Sequence, residues 1–321
     1  MALSALLAIF LMAPWPRQRA VVVLATGAVL AAIAVHTYPT EARMDVVANL
    51  ERFADSAELA IRPGLRQQHI DEARANLQAT LAIDPKILAA LRGKRVAIEP
   101  WETSAAWAYD LDWSPFQAFQ TYVAYTARLD RLNAAAAEGP NGPEEILRAT
   151  NGGRCGFAER QPVWDPPEQN LATVCNFIPT LTEGPWQLLS RISNRCGPQE
   201  LISSHSAEPG EEVSVPQAGR DELVVLDLKG AGVEGLERLR SLLWRPSERF
   251  AVLNGGGHRY RLVPGTSEDG LIVSWDPALN GGGEFVELQT IRKMSVEGVD
   301  RRLQLDFYRV PIDSLPRHHT G

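Results

Sequence analysis

The sequence is poor in the residues that announce chemistry. It has 3 cysteines, 6 histidines and 4 methionines in 321 residues. None of Cys155, Cys175 and Cys196 has a CxxC neighbour, and no histidine spacing completes a zinc-ligand set, so no metal site and no cofactor are expected. HExxH, GxSxG and Walker loops are missing, which removes the usual sequence routes to a zinc protease, an α/β-hydrolase or a nucleotide hydrolase. Basic patches are missing too. With a net charge of −7, nucleic acid is a poor partner. After residue 38 no apolar run is long enough to cross a bilayer.

The long apolar runs are confined to the N-terminus. Ala2 to Trp15 is the first, Pro16-Arg17-Gln18-Arg19 interrupts it, and Ala20 to Val35 is the second, followed by His36-Thr37-Tyr38. A span needs roughly 17–25 residues, so the second run is short but adequate with interfacial residues added. Basic short loops stay in the cytoplasm, so Arg17 and Arg19 direct the second run outward. Residues 1–38 therefore read as a membrane anchor of one or two hydrophobic segments, with residues 39–321 extracytoplasmic at the cell membrane. A cleaved signal peptide is the rival reading, but its charged region would extend to Arg19 and be mostly apolar.

In an oxidising compartment two of the three cysteines should pair. All three pairings are open. Cys175–Cys196 is favoured for its short loop, and Cys155–Cys196 stays in play if antiparallel helices bring those ends together.

The expected architecture is α+β: N-terminal transmembrane segment or segments, a helix-rich α/β membrane-proximal domain over 39–200, a β-sandwich-like antiparallel domain over 201–314, and a frayed tail over 315–321. Met44, Val47, Leu50, Ala54 and Ala57 recur at helical spacing, and a second helix follows from Leu65 to about Ala82. Asp84-Pro85 reads as an N-cap with proline at the first helical position. Residues 94–98 form a strand candidate stopped by Pro100. A helix is expected from Ser114-Pro115 to Gly139-Pro140, with shorter ones over 144–149, 166–177 and 185–195. Beyond Gly197 the texture becomes alternating and β-rich over 213–216, 222–228, 249–253, 258–263, 271–275, 284–290 and 301–310, with one helix over 233–243. Leu-Asn-Gly-Gly-Gly occurs at 253–257 and again at 279–283, a pattern suited to hairpin turns. Ser203-Ser204-His205-Ser206 lies in a polar, linker-like stretch and reads as solvated.

The richest segment is aromatic. Of 8 Trp, 6 Tyr and 9 Phe, eight fall between Trp101 and Tyr125: Trp101, Trp107, Tyr109, Trp113, Phe116, Phe119, Tyr122 and Tyr125. Glu99, Glu102, Asp110 and Asp112 lie among them. Aromatic faces stack on sugar rings, and carboxylates bind hydroxyls or act as acid and base. Trp101, Trp107, Tyr109 and Trp113 are thus the contact candidates for a ligand, and the four acids the polar ones. The competing expectation is an ordinary core, for which Phe119 and Tyr122 have helical spacing.

The stretch RVAIEPWETSAAWAYDLDWSPFQAFQTYVAYTARLDRLNA, with RISNRCG, VSVP and RLVPGTSEDGLIVSWDP downstream, resembles the C-terminal extracytoplasmic region of a group of bacterial polytopic membrane proteins. The most specific part is Pro115 to Thr126. The resemblance implies many membrane spans ahead of this region, whereas this sequence has at most two, as a short or truncated member would. The layout is similar, more loosely, to GT-C-type membrane glycosyltransferases, whose catalytic acids sit in early inter-helix loops that have no counterpart here. No catalytic residue carries over. The resulting expectation is an envelope interaction or glycan-binding module without catalysis, its partners being the membrane, envelope glycan or a polytopic membrane protein. The alternative is an enzyme or accessory subunit of envelope glycan metabolism.

Overall fold

The structure, a computed structural model, describes residue 58 and residues 61–150, 159–233, 235–241, 247–275 and 290–313. The chain divides into two compact units, Met1–Asp71 and Glu72–Gly321. The two apolar runs, the helical spacing from Met44 to Ala57, Cys155, the second Leu-Asn-Gly-Gly-Gly, residues 284–289 of the strand expected over 284–290, and the tail lie outside the described residues. Among the described residues no helix is long and apolar enough to cross a membrane.

The fold is α+β and its sheets are largely antiparallel. Helix α1 (Pro63–Leu81) is polar on nearly every face and buries only Leu81. Asp84 then accepts a 2.7 Å hydrogen bond from the Lys86 amide and starts α2 (Pro85–Ala90), the expected cap with proline at N1. Strand β1 (Arg95–Glu99) follows, then α3 (Ser104–Ala108), β2 (Asp112–Trp113), a 3-10 turn at Thr121–Val123, α4 (Ala127–Glu138), β3 (Glu145–Ala149), α5 (Pro167–Asn176), β4 (Phe177–Glu183) and β5 (Trp186–Arg191). The sheet order is β2-β1-β3-β5-β4, parallel at β1–β2 and β1–β3 and antiparallel at β3–β5–β4.

Helices cover both faces of this sheet. Val96, Ile98, Leu147 and Leu188 pack with Ile83, Ile87 and Leu91 from the α2 region and with Ala105 and Ala108 of α3. On the opposite face Ala97, Ile146 and Leu189 join Ala134 and Ala137 of α4 and Ala172 of α5.

The second half is a two-sheet sandwich. Its strands are β6 (Glu200–Ala207), β7 (Val213–Ser214), β8 (Glu222–Lys229), β9 (Arg249–Leu253), β10 (His258–Leu262), β11 (Leu271–Trp275), β12 (Lys293–Glu297) and β13 (Leu303–Pro311), with α6 (Gly235–Arg240) between β8 and β9. The sheets run β10-β9-β12-β7 and β11-β8-β13-β6. Strand β8 buries Leu223 through Leu226 consecutively, which requires cover on both faces. Part of that cover comes from the first half: Val163, Trp164, Val174 and Phe177 share one core with Val225, Ile272 and Phe307. Trp164 anchors the contact by donating its indole N–H to the Ile272 carbonyl at 2.7 Å, beside a register shift in β11 between Ile272 and Ser274.

Cys175, in the last turn of α5, is bonded to Cys196 with 5.3 Å between Cα atoms. Cys196 also bridges to Ile312 beyond β13, so the disulfide lies where the first half meets the sandwich.

Several local expectations are corrected. Residues 144–149 and 185–195 hold β3 and β5 rather than helices. Both strands are covered on two faces, which erases the alternation that marks a strand. The helix expected from Ser114 begins only at Ala127, where Thr126 accepts a hydrogen bond from the Leu129 amide. The preceding segment is held outside a helix because Ala118 exchanges two hydrogen bonds with the buried Asn133 side chain. Ser203–Ser206 lies in β6, not in a linker. The first Leu-Asn-Gly-Gly-Gly does form the β9–β10 turn, with positive φ at Asn254, Gly255 and Gly256.

Candidate ligand-binding surface

The aromatic residues separate by burial. Phe116 is buried in the core. Tyr109 is tied into backbone: its hydroxyl donates to Gln78 O at 2.9 Å and accepts from the Ile83 amide at 3.2 Å. Trp101 meets Tyr122 edge-on at 6.1 Å and donates its indole N–H to Glu102 Oε1 at 2.7 Å. The remaining four stay in water despite their size: Trp107 is 43% exposed, Trp113 41%, Phe119 50% and Tyr125 47%.

Local geometry explains why they are displayed. Strand β2 is the edge of its sheet and is exposed at both residues, so Trp113 has no neighbouring strand to cover it. Its ring packs edge-on against Phe119 at 6.1 Å and 81°. From there the chain runs alongside β1: the Ser114 amide donates to Val96 O at one end and the Thr121 amide to Pro100 O at the other. It carries in turn Phe119, Tyr122 and Tyr125. Trp107 is steadied separately by Arg74, whose guanidinium lies 5.1 Å from its ring centre.

The four acids are not gathered around one cleft. Glu99 is buried at the C-terminal end of β1, where Oε2 accepts from Arg148 Nε at 3.0 Å and Nη2 at 2.8 Å, and Oε1 accepts from Gln169 Nε2. Asp112 stands opposite Arg95 in the strand register at the other end of β1, so at about 3.3 Å per residue the backbone positions of Glu99 and Asp112 are roughly 13 Å apart along the strand. Glu102 is engaged by Trp101, and Asp110 takes a positive φ of 53° in the turn before β2.

The polar features that sequence reading missed lie where the strands end. Gln169 connects Glu99 to Asn133 of α4, accepting from Asn133 Nδ2 at 2.7 Å. Asp130 of the same helix caps α5 by accepting the Glu168 and Gln169 amides at 3.0 and 2.8 Å. Arg160 is buried and donates to Tyr122 O at 2.9 Å, to Asp165 Oδ2 at 2.8 Å and to the Tyr125 hydroxyl at 3.3 Å. Only an i,i+3 acid-to-acid spacing or a stray arginine marked these in the sequence, and neither is specific.

Burial pushes three acids of this region upward. Asp130 rises to about 6 against the pull of its two amide donors, and Asp165 rises to about 6 against the pull of Arg160. Glu168 rises to about 7, mainly from burial and then from the Asp130 charge. Unfolded, these groups ionise near 3.8 and 4.5. In that interval the unfolded chain releases protons the folded chain keeps, so their contribution to stability declines as pH rises from about 4 to about 7 and then levels off. Glu168→Gln, which cannot ionise, should therefore gain on the wild type in thermal unfolding as pH rises across that window. A constant difference between the two melting curves at every pH would refute the assignment.

No protein-family model matches the chain, and no curated protein and no solved structure does either. Among the described residues no group of three or more His, Cys, Asp or Glu side chains is placed to hold a metal ion.

Proposed function

We propose that this chain is a membrane-anchored envelope protein whose extracytoplasmic body binds glycan through displayed aromatic rings and catalyses no reaction. The observation that carries the reading is the Trp113–Phe119 pair, two large, half-exposed apolar rings packed edge-on at 6.1 Å, Trp113 from the exposed edge strand and Phe119 from the segment after it. Ordered aromatic faces left in water suit a ligand with one apolar face and a hydroxylated rim, and a pyranose is such a ligand. A sequence feature and a structural one support the location: the paired apolar runs before residue 38, and the Cys175–Cys196 disulfide, a bond that persists in oxidising compartments.

Cosedimentation of the detergent-solubilised chain with purified peptidoglycan sacculi tests the reading. Wild type should pellet, and Trp113→Ala with Phe119→Ala should lower the bound fraction at least tenfold. Both side chains are substantially exposed, so the melting temperature should move little. Equal pelleting by wild type and variant, or retention by a solubilised membrane-protein fraction instead of sacculi, would sink the glycan reading.

A further inference from the structure

A cleft of about 120 Å³ opens where the segment after the 3-10 turn meets the sandwich, lined by Tyr125, Arg160, Ser247, Glu248, Arg261 and Pro264 among others. Building on the glycan reading above, we propose that this cleft is a subsite for one neutral hexopyranose unit.

Size is the first argument. At about 120 Å³ the cleft is smaller than the roughly 150 Å³ cavity that takes one benzene ring, so it can receive only part of a single sugar ring at its open mouth and has no room for a second. Shape is the second. Tyr125 presents an exposed ring as one wall, and that ring is held in place from within: Arg160 lies 5.1 Å from its centre and donates to its hydroxyl. Arg160 is itself fixed by Asp165 at 2.8 Å, whose side chain is only 8% exposed, so the wall is set before a ligand arrives. Leu262 and Val263 are buried beneath and supply an apolar floor. The approach of the two halves is held by Gly265: a Cβ there would stand 2.0 Å from Tyr125 O, so only glycine lets this turn close on the aromatic segment.

Charge is the third argument, and it selects the ligand class. Arg261 faces Glu248 at 3.5 Å, and Arg160 faces Asp165, so each guanidinium in the cleft stands against a carboxylate. An anion entering here meets Glu248 at the mouth, where its side chain is 45% exposed. A neutral polyol finds a donor in Arg261, an acceptor in Glu248 and a hydroxyl on Ser247 that serves as either. Uronic acids, phosphates and sulfates are therefore disfavoured relative to neutral sugars.

Saturation-transfer NMR on the full detergent-solubilised chain tests this, using N-acetylglucosamine and its two- to four-unit oligomers, with glucuronate and inorganic phosphate as anionic probes. The monosaccharide should bind, and neither anion should compete. Tyr125→Ala and Glu248→Ala should each weaken monosaccharide binding at least tenfold, while Tyr125→Phe, which keeps the wall, should stay within about twofold. Trp113→Ala should weaken the oligomers at least tenfold, as the glycan reading requires. Oligomer binding that Trp113→Ala abolishes and the Tyr125 and Glu248 variants leave intact would overturn the subsite and spare the glycan reading. Displacement by glucuronate or phosphate would overturn the neutral-sugar assignment, and no signal from any saccharide would remove both proposals.

Discussion

Arg148→Ala should be among the most damaging single substitutions in the described fold, costing about 3–5 kcal/mol, because it leaves the buried Glu99 carboxylate without the guanidinium that donates twice to Oε2. The Gln169 amide remains on Oε1 but carries no charge. For a body of this size 1 kcal/mol corresponds to roughly 2–4 °C, so the melting temperature should fall by about 6–20 °C. The double replacement Glu99→Leu with Arg148→Met should recover much of that loss, since two apolar groups of similar volume bury no charge and the desolvation of the pair is no longer required. The strong non-additivity is the signature to look for in denaturant unfolding. A loss below about 1 kcal/mol for Arg148→Ala would mean that the pair is solvated, as exposed ion pairs are.

The second large effect comes from the disulfide. Cys175 and Cys196 are 21 residues apart and enclose β4 and β5. Closing a loop of this length restricts the unfolded chain by an amount worth about 3 kcal/mol in the chain-entropy account. Cys175→Ser should therefore lower the melting temperature by about 6–12 °C. Thiol reductant should produce the same shift in the wild type and none in the variant. Damage should concentrate where α5 meets the end of β13, because Cys196 pairs with Ile312, the Gly197 amide donates to Pro311 O and the Asp313 amide donates to Arg195 O. Hydrogen exchange resolved by peptide reads this directly: protection lost first in β2 and α3 instead would contradict the junction role.

How far the sequence could be read depended on whether the deciding forces were local. Helix α2 was legible because Asp84 caps it with its own side chain and Pro85 suits the first turn, both acting within three residues. Helices α1 and α5 were expected over 65–82 and 166–177 and lie at Pro63–Leu81 and Pro167–Asn176, although Pro63, read as part of a helix stop, instead begins α1. Strands β8 to β11 and β13 followed from β-rich runs between glycine and asparagine turns, and Asn254 makes that chemistry explicit by holding positive φ while its side chain accepts the Arg292 amide. The α+β class and the favoured Cys175–Cys196 pair were within reach for the same reason.

Only tertiary structure decided the rest. Strands β3 (EILRA) and β5 (WQLLSR) show no apolar–polar alternation because both of their faces are covered, so that Ile146 and Leu147, and Leu188 and Leu189, are buried side by side and leave no period to detect. Residues 114–126 contain helical spacings, yet the Asn133 side chain, far along the chain, takes the Ala118 backbone hydrogen bonds and keeps the segment irregular, which is what leaves Phe119 and Tyr125 exposed. Sequence composition marked an aromatic cluster. It did not distinguish Tyr109, whose hydroxyl serves backbone groups, from Trp113, whose ring faces water. Nor did it assemble Glu99 with Arg148 and Gln169, or Tyr125 with Arg160 and Arg261, because those contacts join residues 35 to 136 positions apart. Capping, turns and alternation are short-range and survive in a string of letters, whereas charge burial and the walls of a cleft exist only once distant segments have packed.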